Sequence, residues 1–255
     1  MPAYALYHHP YSICSIMVRY SFALRGPPKD PSSDMTLDAR VVDMMNGEQL
    51  EEWFLCDVNP KGQVPVLVST LPGSAPMADS KAITYHLAEL YPNLQMPDTP
   101  SARELFERLH AINYFSLSFS GKPSVMKDAN ANMERRLTDP SISDRYRQAL
   151  SYKIGVNERE KISALEAGEP ERQREIARVF LDECATLLTQ GAAGKWLFYE
   201  RPTMLDAHLV PFLARLLDLG RFDEIIPQPL REYAKRAMSE PEWESVMQGR
   251  STVMW

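Results

Sequence analysis

Apolar and polar positions follow two regimes along this chain. Up to about residue 92, short apolar runs alternate with stretches of helical period; beyond residue 100 only the helical period is found. Ala3 to Tyr7 is a short apolar run followed by His8-His9-Pro10, which reads as a strand entering a loop. Ser12 then caps an expected helix to Leu24, with Ile13, Met17, Tyr20 and Leu24 on one face and Gly26-Pro27-Pro28 as its stop. Leu37 to Val42 is a second strand, and Leu50, Trp53 and Phe54 mark a short helix ending before Asn59-Pro60. The run Val64 to Val68 has the β-branched character of a buried strand. A turn at Pro72-Gly73-Ser74 leads to a paired strand over Ala75 to Met77. A helix from Ser80 follows, with Ile83, Leu87 and Leu90 on one face, and closes at Tyr91-Pro92.

This order is β-α-β-α-β-β-α. The first helix supplies the crossover of a parallel pair, and the last two strands need only a turn. The expected fold is an α/β thioredoxin-like domain over residues 1–92, a small mixed sheet with helices on both faces. Residues 93–100 read as a linker, and 101–255 as an all-α helical domain. Within the latter a long amphipathic helix is expected from Arg103 to Phe119, stopped by Gly121 and Pro123. A charged segment with a break at Asp139-Pro140 comes next. One helix is expected over Asp144 to Ala167, closed by Gly168-Glu169-Pro170. Another carries Ile176, Phe180, Cys184 and Leu187 and stops at Gly191. Thr203 to Asp206 reads as a capping box, with Asp in place of the usual Glu or Gln. It opens a helix through Leu209, Phe212 and Leu216 to Gly220, and Pro227 and Pro229 punctuate one more.

Composition narrows the function classes. The 28 basic and 34 acidic side chains leave a net charge of −6, and no basic run is interleaved with aromatics, so nucleic acid is not an expected partner. Three cysteines, Cys14, Cys56 and Cys184, fit neither a disulfide framework nor a zinc site, and reduced thiols in a cytoplasmic setting are expected. No stretch has the length and apolarity of a membrane span or a signal peptide. Adjacent His8 and His9 point to opposite faces of a strand, so no metal site is expected there.

The most specific local signal is Asn59-Pro60-Lys61-Gly62-Gln63-Val64-Pro65. A proline at the mouth of a strand cannot join the ladder, and a cis Val64-Pro65 bond would turn the Val64 N–H and C=O outward. An extended peptide ligand could pair with them, although a tight turn without a ligand has the same sequence. Asp79-Ser80 bears on that choice. A helix start favours a carboxylate, Ser80 adds a hydroxyl donor, and Asp79 can pair with an ammonium group. Gln49 and Lys61 are further candidates for a ligand carboxylate.

These residues resemble the glutathione transferase superfamily, through Asn59 to Leu67, Asp79-Ser80-Lys81-Ala82-Ile83 with Tyr85 and Leu87, and the Thr203–Asp206 box. The resemblance implies glutathione as cosubstrate, held by Val64, Pro65, Asp79 and Ser80, and a homodimer. It places the chemistry in Tyr11-Ser12-Ile13-Cys14-Ser15, similar to the Ser-Ser-Cys-Ser run of the zeta class with Ile13 in place of a serine. Ser12 is the expected thiolate donor, backed by Tyr11 and Ser15, with Cys14 as the competing thiol. A pocket for an electrophile or conjugated olefin is expected between the domains, near His110, Asn113 and Tyr114. The chain also looks like fungal members of the superfamily that act in secondary metabolism, which adds cis/trans isomerisation to conjugation as an expected reaction. The rival reading is a non-catalytic glutathione-binding or scaffold protein, whose charged stretch from Lys127 to Arg174 would be a solvated helix face or a partner surface.

Overall fold

The computed structural model describes residues 3–71, 73–120, 125–190 and 194–254. Pro72 and the helix stops assigned to Gly121, Pro123 and Gly191 lie outside the described residues. The sheet is built from β1 (Ala3–His8), β2 (Thr36–Val41) and β3 (Val66–Ser69), in the order β2-β1-β3. β1 is the central strand, parallel to β2 and antiparallel to β3, with Tyr7 opposite Arg40 on one side and Val66 on the other. Helices α1 (Ile13–Leu24), α2 (Glu52–Asp57) and α3 (Ser80–Leu90) complete the thioredoxin-like half.

The expected fourth strand shrinks to one bridge, in which Leu67 and Met77 exchange both backbone hydrogen bonds at 2.9 Å. Pro76 has no N–H to continue that ladder. For the same reason β3 begins at Val66, after Pro65, rather than at Val64.

The other half is helical: α4 (Pro100–Ala111), α5 (Tyr114–Phe119), α6 (Val125–Leu137), α7 (Asp144–Asn157), α8 (Glu169–Gln190), α9 (Met204–Leu219), α10 (Gln228–Met238) and α11 (Pro241–Met247). Two expected helices are broken. The Arg103–Phe119 stretch divides because Ile112 is extended and Asn113 caps α5, its side chain accepting the Ser116 N–H at 3.0 Å. The Asp144–Ala167 stretch is α-helical only to Asn157. It then passes through a π-helical turn, Glu158–Ile162, and a 3-10 turn, Ser163–Leu165. The segments α6 and α11 have no counterpart in the sequence reading.

One apolar core spans both halves. It runs from Leu6 of β1 through α1 and α3 into α4, α8, α9 and α10. α9 is buried on every face from Met204 to Arg215, as expected of a central helix. Its start is held by Asp206, which is fully buried. The carboxylate accepts the Thr203 N–H and hydroxyl at 2.7 Å each, the Leu197 N–H at 3.1 Å and the Tyr233 hydroxyl at 2.7 Å. Asp206→Ala would leave those donors buried without an acceptor, so a loss of about 3–4 kcal/mol is expected. That corresponds to a melting temperature lower by roughly 10 °C. A change under about 1 kcal/mol in urea unfolding would show that the box is dispensable.

Candidate functional site

Three chain segments meet at the N-terminal ends of α1 and α3. Ser12 is the cap of α1: its Oγ accepts the Ser15 N–H at 3.4 Å and lies 3.5 Å from the Val64 carbonyl oxygen. The Val64-Pro65 bond is cis, and the Val64 N–H has no hydrogen-bond partner among the described residues. Asp79 caps α3 by accepting the Ala82 N–H at 2.8 Å, and the side chain is exposed. Ser80, the first residue of α3, is buried, and its hydroxyl acts against the burial that pushes the Cys14 thiol up. The sequence candidates Ser12, Cys14, Val64, Pro65, Asp79 and Ser80 thus face one another across two helix starts, where unpaired N–H groups and the positive dipole ends favour anions.

The turn before Pro65 explains its own sequence. Buried Asn59 staples it by donating to the Gln63 carbonyl at 2.8 Å and accepting the Lys61 N–H at 3.0 Å. Gly62 has a left-handed φ of 54°, and a Cβ there would come within 3.0 Å of the Gln49 carbonyl and 3.1 Å of the Lys153 Cε. Only glycine accommodates both conditions at once. Lys61 and Gln63 project from this turn to Glu160 on the π-helical turn, at 3.1 and 2.9 Å. Burial opposes the charge on Glu160, but the bonds from Gln63 and Lys61 outweigh it and hold the carboxyl below its ordinary value. Gln49 sits beside the turn with its carboxamide oxygen buried and unpartnered.

Other candidates have their polar atoms engaged elsewhere. Ser15 is fully buried and its Oγ accepts the His9 N–H at 3.3 Å. The Tyr11 carbonyl accepts an Arg215 guanidinium N–H at 2.7 Å. His110 bonds His208 at 2.8 Å, and His208 in turn bonds Thr84 of α3 at 2.8 Å. Burial holds His110 down to about 4 and His208 well below the ordinary histidine value, so this chain is neutral and joins the two halves. Asn113 caps α5, and the Tyr114 hydroxyl donates to the Leu109 carbonyl at 2.7 Å while its ring packs on Phe212.

The wall facing Cys14 comes from the helical half and was missed in the sequence. Burial pushes the Cys14 thiol up; Lys161, the Ser80 hydroxyl and Arg215 act against it. Arg215 is buried and fixed by Tyr11, by Ser118 at 3.2 Å and by Thr252, whose carbonyl lies at 2.7 Å. Lys161 lies 4.8 Å from the centre of the Phe115 ring. Lys153, on α7, is only 5% exposed. The expectation of a solvated face over Lys127–Arg174 therefore fails at Lys153, because α7 packs against α2 and the Gly62 turn. A cavity of about 260 Å³ between α4 and α8, lined by Arg108, Ala111, Glu175, Ile176, Val179 and Phe180, shares no residue with this site.

Burial and the positive charge of Lys161 push the Lys153 ammonium down to about 7, Glu160 acting in the opposite sense and Lys61 adding to the fall. The unfolded chain then binds the extra proton above that value, so the Lys153 contribution to stability rises with pH from about 7 to about 10. Lys153→Met is expected to stabilise the protein most at or below pH 7 and hardly at all near pH 10. Urea unfolding of both proteins across that range checks this. Parallel stability profiles would mean that Lys153 titrates as a solvated amine.

Comparison with known proteins places this geometry. Residues 6–97 match the family model for the glutathione S-transferase N-terminal domain. A glutathione S-transferase of Arabidopsis thaliana is 27% identical over 160 residues, covering 60% of this chain and 68% of the relative. Among solved structures, a β-etherase of Sphingobium superposes with a TM-score of 0.66 at 16% identity, over 96% of this chain and 98% of that one. A glutathione transferase family member of Pseudomonas fluorescens, solved with two glutathione bound, gives 0.58 at 17% identity, over 96% and 92%. A glutathione transferase of Populus trichocarpa gives 0.58 at 17% identity, over 98% and 100%. The thioredoxin-like half of the chain is thus similar to a glutathione S-transferase N-terminal domain, and the whole chain has the two-domain fold of those solved structures.

Proposed function

We propose that the protein is a glutathione-dependent enzyme that activates the glutathione thiol for addition to an electrophilic or conjugated-olefin small molecule. One observation carries the reading: Ser12, the free Val64 N–H and the Asp79-Ser80 helix start converge on one place. Each supplies a part that a tripeptide thiol needs. Val64 offers its N–H to the peptide backbone, Asp79 its carboxylate to the ammonium group, and the start of α3 its N–H groups to the adjacent carboxylate. Ser12 places a hydroxyl donor at the positive end of α1, where it lowers a thiol pKa. Within this reading residues 1–92 hold glutathione, 101–255 supply the wall over it, and 93–100 join them. Glutathione bound to the similar Pseudomonas protein, and the glutathione transferase identity of the relatives, support it.

The thiol proton leaves to solvent and the thiolate attacks an electrophilic carbon. With a leaving group the product is a conjugate. With a conjugated olefin, addition gives a carbanion that can rotate about the former double bond and expel the thiolate, which is cis/trans isomerisation. The resemblance to fungal members of secondary metabolism favours the second course. A homodimer and a cytoplasmic location belong to the same reading. Among the described residues no helix is long and apolar enough to cross a membrane.

Calorimetric titration with glutathione tests the reading, and no binding at millimolar ligand would sink it. In the bound state the ultraviolet absorbance of the thiolate should be visible at neutral pH. Ser12→Ala is expected to raise the bound thiol pKa by about one unit. An unchanged pKa would transfer the role to Tyr11 or Ser15. Recovery of an isomer free of glutathione from an olefin panel decides between the two reactions.

A further inference from the structure

Lys153 and Lys161 are two buried or half-buried amines without a direct ion pair among the described residues, and the nearby charge of Glu160 acts on both. Neither makes a hydrogen bond or an ion pair among the described residues. Lys153 is 5% exposed, its stem lying on the Gly62 turn. Lys161 is half-buried between the Phe115 ring and the start of α1, where its charge acts on Cys14. The one carboxylate nearby, Glu160, is taken by Lys61 and Gln63. A buried ammonium without a counter-ion is costly, and a cation left so beside a ligand site is a strong receptor for an arriving anion.

The direction of approach matters. The groups assigned to glutathione above lie in the thioredoxin-like half, at Val64 and the start of α3. Lys161 stands on the opposite wall, on the π-helical turn, over the end of α1 where the sulfur would sit. π-helical turns inside helices occur frequently at functional sites. Building on the proposed glutathione function, we infer that Lys161, backed by Lys153, is a carboxylate subsite and that the second substrate is an organic anion. Its charged end lies on Lys161 and its apolar body against Phe115.

The test reads binding without turnover. The full-length protein, saturated with S-methylglutathione, is titrated calorimetrically with 3-nitrobenzoate and with the neutral 3-nitrobenzamide. The acid is expected to bind about tenfold tighter, the value of a charge-assisted hydrogen bond. Lys161→Met should bring the two ligands to within about twofold, and Lys161→Arg should keep the preference, because charge rather than packing sets it. Lys153→Met should lower the preference while raising the melting temperature at pH 7, which a merely structural lysine would not do. If Lys153→Met does not fold, the Lys161 pair alone decides.

Any one of several results would overturn the inference. The amide binds as tightly as the acid; the preference survives in Lys161→Met; or S-methylglutathione and the benzoate exclude each other, which would make these lysines the partners of glutathione's own carboxylate. If S-methylglutathione does not bind at all, the glutathione reading fails on its own, and the same titrations on the unloaded protein still report whether the lysines take a carboxylate. Absence of benzoate binding in both states rejects the subsite.

Discussion

The site depends on one buried cation. Arg215 sits near the end of α9, the helix around which the apolar core is built, and its guanidinium reaches the Tyr11 carbonyl. That bond ties the loop carrying Ser12 to the helical half. The other N–H groups go to Ser118 and Thr252, so α5 and the C-terminal segment are fixed to the same point. Asp218 secures the far side by accepting the Thr252 N–H and hydroxyl at 2.6 Å. A planar cation with several fixed donors can hold carbonyls in a set geometry, which a lysine could not do. Burial brings Arg215 down to about 10, far enough above neutrality for it to stay charged and keep those carbonyls in place.

With that loop fixed, the electrostatics of the site follow from the elements around it. Two helix starts point their positive ends at one volume, and Lys161 stands on the opposite wall, its ammonium held down by burial. The exposed carboxylate of Asp79 stands at the rim and answers the Ala82 N–H of its own helix. The region is positive at its centre with one negative group at the edge. Such a field stabilises a thiolate and a carboxylate together and leaves a place for an ammonium group outside them. No single residue creates it; it comes from where the chain puts its helix ends.

The sequence shows this layout unevenly, for physical reasons. The βαβαββα order, the Val64-Pro65 turn and the two caps were legible because each depends on neighbours within a few residues: proline chemistry, a hydroxyl or carboxylate before an apolar period, a glycine after it. The broken helices were hidden because helical period continues through a break. The apolar spacing continues through Ile112 and Asn113, where the chain turns extended and the Asn113 N–H goes to Gln173 of α8 at 2.8 Å. His110 looked like a pocket residue because its partner, His208, lies 98 positions away. Lys153 and Lys161 looked like solvated charge because nothing local says that α7 lies against the Gly62 turn. The available signal was Gly62 itself, whose missing Cβ marks a close approach without naming what approaches.

The departure at Ile13 also takes a definite meaning. It is the first residue of α1, 8% exposed, and belongs to the main core with Ile16 and Met17. Ile13 points into that core, whereas the Ser12 Oγ lies beside the Val64 carbonyl oxygen. A serine at position 13 would bury a hydroxyl in an apolar cluster, where leaving it unpaired carries a cost. The replacement therefore removes a group from the core side of the helix start and leaves the site side intact. Between the remaining two, burial pushes the Cys14 thiol up, whereas the Ser12 Oγ has only two contacts at the limit of hydrogen-bonding distance. Weak contacts are the ones a ligand exchanges at least cost, which supports Ser12 over Cys14 as the proposed donor.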